Sequence, residues 1–274
     1  MTDIHITAED TAGMLRQVRE VIGGRIRERW GEFVLEVSGA HANGSIRLVT
    51  FDWGVSLLIF QITFYEEVKL ILDTPNHNPL HFVYCLEGYC RHKFDNEPKD
   101  QIKTMEQYQS VILTNKDSGL SYWYFPKEVP LEINVIQIIR RKFLKKRLNG
   151  VEQLNERLYE VFHDLDHENT YSHYGSYDLR MADKVSSLIN LKTRGMMRVI
   201  KIEGVVYQLL SQQISDHEKF ASRRKNPTNL LKRDLKTIRQ LAGEIIKNPG
   251  KNFRLDELAR KTGNIQGKIR DQPE

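Results

Sequence analysis

The chain has 274 residues, 41 Lys and Arg against 36 Asp and Glu, a formal charge of +5 and 40% hydrophobic residues. That is the composition of a folded globular protein of one or two domains, and it excludes general disorder. The most apolar stretch, Val55 to Phe60 with Ile62 beyond it and Ser56 within it, falls far short of the roughly 20 residues that span a bilayer as a helix. The first residues are acidic where a signal peptide is basic, so a cytoplasmic location without membrane attachment is expected. Cys85 and Cys90 are the two cysteines, too few to staple a secreted fold and compatible with reduced thiols.

In chain order, Ala8 to Arg29 reads as an amphipathic helix, with Met14, Leu15, Val18, Val21, Ile22 and Ile26 on one side. The period then changes to two. Short β-branched and aromatic runs follow at Phe33–Val37, Ile46–Phe51, Leu57–Phe64, Lys69–Asp73, Leu80–Cys85, Tyr89–Phe94, Ser110–Thr114, Ser121–Phe125 and Leu131–Ile138. Turn material separates them, including His41-Ala42-Asn43-Gly44, Asp95-Asn96-Glu97-Pro98 and Asp117-Ser118-Gly119. Strands at this spacing predict a sandwich or barrel. In His81 to His92, Leu86-Glu87-Gly88 reads as a tight turn joining two strands into a hairpin, with Gly88 free to take positive φ.

From Arg140 the composition turns helical and basic. Helices are expected at Leu154–His163, Leu179–Asn190 and Gly195–Ile214. The last carries Met196, Met197, Ile200, Ile202, Val205, Val206, Leu209, Leu210 and Ile214, a stripe too broad to stay wet. It packs either on the β-domain or on a second copy. Residues 218–233, polar and broken by Pro227, read as a linker. Asp234 to Asn248 is helical in spacing and ends at Asn248-Pro249-Gly250.

Leu255, Leu258 and Ala259 then fall at i, i+3 and i+4, and Gly263 follows where a sharp turn needs positive φ. That is the opening of a helix-turn-helix: small where the second helix crosses, and turning without a Cβ clash. The segment after it holds Ile269, with Gly267 inside and Pro273 near its end, and makes a poor recognition helix. Charge follows this division. From Lys219 onward there are 15 Lys and Arg against 6 Asp and Glu, or +9, and the first 218 residues carry 26 against 30, or −4. Clustered cations of this kind attract phosphates independently of sequence.

On Leu255, Leu258, Ala259, Gly263 and Ile269, with the strand and Leu-x-Gly turn near Gly88 upstream, the chain resembles the AraC-type (AraC/XylS) transcription regulators. The resemblance implies an α+β chain. A cupin-like β-sandwich or barrel at 1–148 would be the sensory domain, a helical dimerisation segment would occupy 149–217, and a helix-turn-helix region 234–274. It departs from the family after Gly263, where Ile265 and Pro273 hold positions of the usual serine and phenylalanine and no second helix-turn-helix follows. The DNA-binding domain is therefore expected to be truncated and sequence-specific binding weakened or lost. Expected partners are DNA, a small-molecule effector and a second copy of the chain. DNA contacts would come from Arg260, Lys261, Gln266, Lys268 and Arg270. Tyr84, Tyr122 and Tyr124 are candidates for an effector pocket, against the alternative that aromatic strands fill a core.

Other chemistry is thin. His77, His81, Glu87 and His92 stand where a metal-binding cupin would place ligands, but the spacing does not satisfy ligand count and geometry. His163 and His167, at i and i+4 with His173 beyond, lack a fourth ligand and read as a polar connection. There is no Gly-rich phosphate loop, no Gly-x-Ser-x-Gly and no cysteine nucleophile setting. No enzyme activity and no cofactor are expected. A ligand-sensing or dimerising protein without DNA activity is the alternative, and a metal cupin enzyme the third reading.

Overall fold

The computed structural model describes residues 1–73, 78–98, 100–146 and 151–222, with Thr237, Gln240, Leu241, Glu244 and Ile245. The chain forms two compact units, Met1–Ser222 and Arg223–Glu274. The helix-turn-helix positions Leu255, Leu258, Ala259, Gly263 and Ile269 lie outside the described residues.

The first unit runs β1 (Thr2–Ile6), α1 (Thr11–Ile22), β2 (Arg25–Arg29), β3 (Glu32–Ser38), β4 (Ala42–Phe51), β5 (Val55–Phe64), β6 (Val68–Leu72), β7 (Leu80–Glu87), β8 (Cys90–Phe94), β9 (Lys103–Met105), β10 (Gln109–Thr114), β11 (Ser121–Phe125) and β12 (Leu131–Ile138). It continues through α2 (Arg140–Phe143), α3 (Glu156–His163), β13 (Tyr171–Tyr177), α4 (Leu179–Ile189) and α5 (Gly195–Ser222). Five strands pair in the order β1-β6-β11-β8-β9 and eight in the order β13-β10-β7-β12-β5-β4-β3-β2. The sheets share no strand, so the architecture is a sandwich and not a barrel.

Period-two alternation sends Leu35, Ile46, Leu58, Phe60, Val83 and Ile133 of the large sheet inward to meet Ile4, Leu70, Phe94, Trp123 and Phe125 of the small one. Met14, Leu15, Val18 and Ile22 of α1 complete the same core. Asp10 caps α1, its Oδ1 accepting the Gly13 amide at 2.7 Å. The helix stops at Ile22 rather than Arg29, because Gly23 and Gly24 take φ of +76° and +101°. The apolar residue that continued the helical pattern, Ile26, instead lies opposite Leu35 on β2.

Two further expectations are corrected. Leu86-Glu87-Gly88 does not close a hairpin: β7 pairs with β10 and β12 and β8 with β9 and β11, so the turn carries the chain from the large sheet to the small one. Gly88 is required there, at φ +79°, because a Cβ would stand 2.6 Å from the Pro130 carbonyl oxygen. The segment 149–217 is not wholly helical. Tyr171-Ser172-His173-Tyr174-Gly175-Ser176-Tyr177 becomes β13 and extends the large sheet beside β10.

The outer face of the large sheet is covered by the chain's own helices. The Tyr84 hydroxyl donates to the Asp178 carbonyl at 2.6 Å, and Phe82 lies 6.3 Å from Phe162. Arg140, 1% exposed, donates to the carbonyls of Val161 and Asn78 and to the Thr114 hydroxyl, touches His167 and faces Asp164 at 3.7 Å. One guanidinium thus ties the end of β12 to α3, to β10 and to the segment before β7.

Helix α5 crosses this face from one side of the sheet to the other. Near its start Arg198 holds Glu32 of β3 through two hydrogen bonds of 2.8 and 3.1 Å. Near its end His217 contacts the Tyr171 hydroxyl of β13 at 2.7 Å. Nineteen residues of helix separate those contacts, about 29 Å at 1.5 Å per residue. Six inter-strand steps separate β3 from β13, about 29 Å at 4.8 Å per step. The helix length and the sheet width therefore match, and α5 continues through Ser222, five residues into the span read as linker.

Glu32 and Arg198 are both almost fully buried, so removing one charge strands the other. Glu32→Gln is expected to cost about 3–5 kcal/mol of stability, read as a lowered urea midpoint at neutral pH with the slope unchanged.

Candidate functional site

At one end of the sandwich, a cavity of about 180 Å³ opens between the sheets. It is small beside the roughly 300–1,000 Å³ of sites for drug-sized ligands. Ile6, Met14, Leu72 and Ile139 make its apolar wall. Thr50, Ser56, His81 and Gln137 supply polar groups, and Glu9, Asp10 and Lys142 stand among its lining charges.

The polar groups arise from interruptions of the strand pattern. Ser56 continues the inward series of Leu58 and Phe60, His81 that of Val83 and Cys85, and Gln137 that of Val135 and Ile133. Each sits near the end of its strand that faces the cavity. The pairings Gln137–Ser56 and Gln137–His81 place all three on adjacent strands. The Gln137 amide lies 3.1 Å from His81 Nε2.

The charged groups differ in their commitments. Asp10 is engaged by the first turn of α1 and stands 3.8 Å from Arg16. Lys142 is exposed and makes no ion pair among the described residues. The cavity therefore offers an apolar interior, hydrogen-bonding groups on one wall and a cation at its edge, which makes it a candidate binding site.

The sequence-derived candidates fall elsewhere. Tyr84 is fully buried on the opposite face of the large sheet, beneath Asp178. Tyr122 and Tyr124 are half-buried on the outer face of the small sheet. There, Lys69 and Lys93 lie 4.9 and 5.9 Å from the Tyr122 ring, and Arg91 lies 5.5 Å from the Tyr124 ring. None of the three lines the cavity. Arg260, Lys261, Gln266, Lys268 and Arg270 lie outside the described residues, as does His77.

Among the described residues, the histidines and Glu87 read as metal-ligand candidates do not converge. Glu87 is exposed at the far end of β7 from His81, about 20 Å away by strand rise. His92 is buried in the small sheet with Ser121 Oγ at 2.7 Å. His163 ends α3 and stacks on Tyr159, while His167 lies beyond the helix with φ +55°. Among the described residues, no group of three or more His, Cys, Asp or Glu is placed to hold a metal ion.

A second polar group joins α5 to β13. His173 meets His217 edge-on at 4.6 Å and Phe220 at 4.9 Å, and Asn155 reaches both His217 and Glu218. Burial, with His217 and Arg157 disfavouring a second positive charge beside them, pushes His173 down to about 4. Burial also lowers His217, against the pull of Glu218, and burial takes His92 to about 3. All three are therefore held neutral in the fold.

No family model matches the chain, and no curated protein matches it. Solved structures similar to it include the AraC-like transcriptional activator CuxR, at 8% identity over 87% of this chain and 78% of that one, with a TM-score of 0.35. An apo form of ToxT from Vibrio cholerae aligns at 13% identity over 79% and 76%, with a TM-score of 0.40. KdgF from Halomonas sp. aligns at 7% over 42% and 86%, with a TM-score of 0.26. Likenesses this distant carry no functional argument, which rests on the chain's own residues. Among the described residues, no helix is long and apolar enough to cross a membrane.

The lowered histidines make stability pH-dependent. Their unfolded values lie near 6.5, so the unfolded chain takes up protons first as pH falls. The stability they protect is complete above about pH 6.5 and drains away down to the folded values of about 4 and 3. Urea midpoints measured from pH 7.5 to 4.5 are expected to fall steadily below 6.5, and His173→Gln to make that decline shallower.

Proposed function

We propose that the chain is an effector-responsive transcription regulator of the AraC type, in which the sandwich senses a small molecule and the region 234–274 meets DNA. The observation that carries this reading is the path of α5. A helix packed across the sheet that walls the cavity runs without interruption to Ser222, where the first unit ends. The next residue opens a unit with 14 Lys and Arg against 6 Asp and Glu, or +8, and with the helix-turn-helix residues Leu255, Leu258, Ala259 and Gly263. Charge of that sign and density draws phosphates. Arg260, Lys261, Gln266, Lys268 and Arg270 are the groups in reach of DNA on this reading. Gly267 and Pro273 weaken the helix that would present three of them, so base reading is poor and phosphate attraction dominates.

A homodimer belongs to the proposal. Met197 and Ile200 are 60% and 58% exposed on α5. One turn further on, Gly204 has open space where a Cβ would project, which lets a second helix approach closely. This outward face also favours the second reading, a ligand-sensing dimer without DNA activity, since everything it needs lies in the first unit. Catalysis has no comparable support.

Two measurements test the proposal. In a gel-shift titration of the full chain against a pool of random duplexes, binding at 50 mM salt is expected to weaken steeply by 200 mM with little selection among sequences. Absence of binding at low salt favours the second reading, and tight selective binding overturns the impaired recognition helix. In sedimentation, the wild-type chain is expected to be dimeric at micromolar concentration and Ile200→Glu monomeric. A monomeric wild-type chain would contradict the dimer.

A further inference from the structure

Two short segments wall the cavity on one side and grip α5 on the other. The hairpin between β4 and β5 gives Thr50 and Ser56 to the cavity and carries Trp53 at its turn. The β12–α2 junction gives Ile139 and Lys142 to the cavity and carries Phe143 and Lys146 behind them. Trp53 lies flat on Tyr207 of α5, with ring centroids 4.4 Å apart and planes 8° from parallel. Its indole N–H donates to Glu203 of α5 at 2.8 Å. Lys146 stands 5.0 Å from the Trp53 ring and 4.6 Å from the Tyr207 ring, and Phe143 lies 6.0 Å from Trp53.

The two segments are also locked to each other. The Ile139 amide donates to the Gly54 carbonyl at 2.8 Å. Gly54, at φ +81°, has no room for a side chain: a Cβ would stand 2.4 Å from the Lys142 Cβ. A close-packed joint of this kind passes on displacement instead of absorbing it. The attachments of α5 to the sheet nearer its ends, at Glu32 of β3 and at Tyr171 and His173 of β13, use strands that give nothing to the cavity, and its contacts with α4, Lys184 to Gln208 and Arg180 to Asp216, likewise involve no residue that lines it. The middle of α5 is thus the part fastened to the cavity wall, between ends fastened elsewhere.

We propose that occupancy of the cavity is transmitted to the middle of α5 through the Trp53 turn, with the Trp53–Tyr207 stack and the Trp53–Glu203 hydrogen bond as the joint. This rests on the cavity being the effector site, and it names how that site is regulated. A small molecule against Thr50, Ser56 and Lys142 displaces the Gly54–Ile139 joint. Trp53 then changes its purchase on α5, and the helix carries the change toward Ser222.

The test needs no effector. Cys85 and Cys90 are buried, so in a Lys142→Cys full-length chain N-phenylmaleimide reacts at position 142 and sets a phenyl ring at the cavity. Thr50→Cys places the same ring from another wall. Hydrogen exchange of the same protein before and after labelling is expected to change about fivefold or more at Glu203 to Leu210, a typical size for coupling between sites. Amides near Arg198 and His217 should change less. Adding Trp53→Leu abolishes the response, and Tyr207→Leu removes the stack from the helix side should the first variant fold poorly. Unchanged exchange with both labels overturns the proposal, as does a response that survives both substitutions at the joint. No DNA enters this experiment, so a responding helix in a chain that fails the gel shift sinks the regulator reading and leaves the coupling standing.

Discussion

The match between the length of α5 and the width of the eight-stranded sheet is the constraint on which the rest of the unit depends. A two-layer sandwich leaves the outer face of its large sheet exposed, and here that face carries Phe82, Tyr84, Ile136 and Ile138, all buried. The chain covers them itself. β13 adds an eighth strand, α4 returns over β7, and α5 closes the layer between two polar attachments about 29 Å apart. Neither attachment is exposed: Arg198 and His217 are 7% and 4% accessible. Apolar burial alone would let a helix slide or rotate over a sheet. A buried bidentate ion pair at one end and a histidine–tyrosine contact at the other define a single position, at the cost of desolvating charged groups.

That placement makes a sensory reading of the cavity mechanically coherent. The cavity lies inside the sandwich and α5 outside it, so a bound molecule and the helix share no direct surface. What lies between them is the Trp53 turn and the α2 junction, where a glycine without room for a side chain leaves little slack. Arg140, between the cavity residues Ile139 and Lys142 in sequence, points to the other face and ties in α3. The two faces of the large sheet are therefore fastened through one short stretch of chain.

Much of the sandwich could be read from period-two alternation. Ser121–Phe125 and Leu131–Ile138 are strands as expected, and most other strands differ by a few residues at their ends, because their inward positions are apolar at period two and turn residues bound them. What could not be read has physical causes. β2 is Arg25-Ile26-Arg27-Glu28-Arg29, whose one inward residue also continues the helical spacing of α1, and two adjacent glycines decide between the readings. β13 has a tyrosine, serine, histidine and glycine composition that gains strand character by pairing with β10 some 60 residues earlier in sequence. The β7–β8 turn has hairpin chemistry, but non-local pairing with β12 and β10 sends the two strands to different sheets.

The site was less legible than the fold, for a related reason. Aromatic content drew attention to Tyr84, Tyr122 and Tyr124, yet content does not say which face of which sheet a residue occupies. The useful signal was subtler: Ser56, His81 and Gln137 are polar interruptions of inward series, meaningful once β5, β12 and β7 are known to be neighbours. The central claim is that α5 belongs to the sandwich as a fixed strut between the cavity wall and Ser222. Native-state hydrogen exchange of the full chain at neutral pH tests it most directly. Amides from Arg198 to His217 should exchange together with those of β5 and β12, with the same denaturant dependence, as one cooperative unit. Exchange of α5 by local opening, while those strands stay protected, would contradict it.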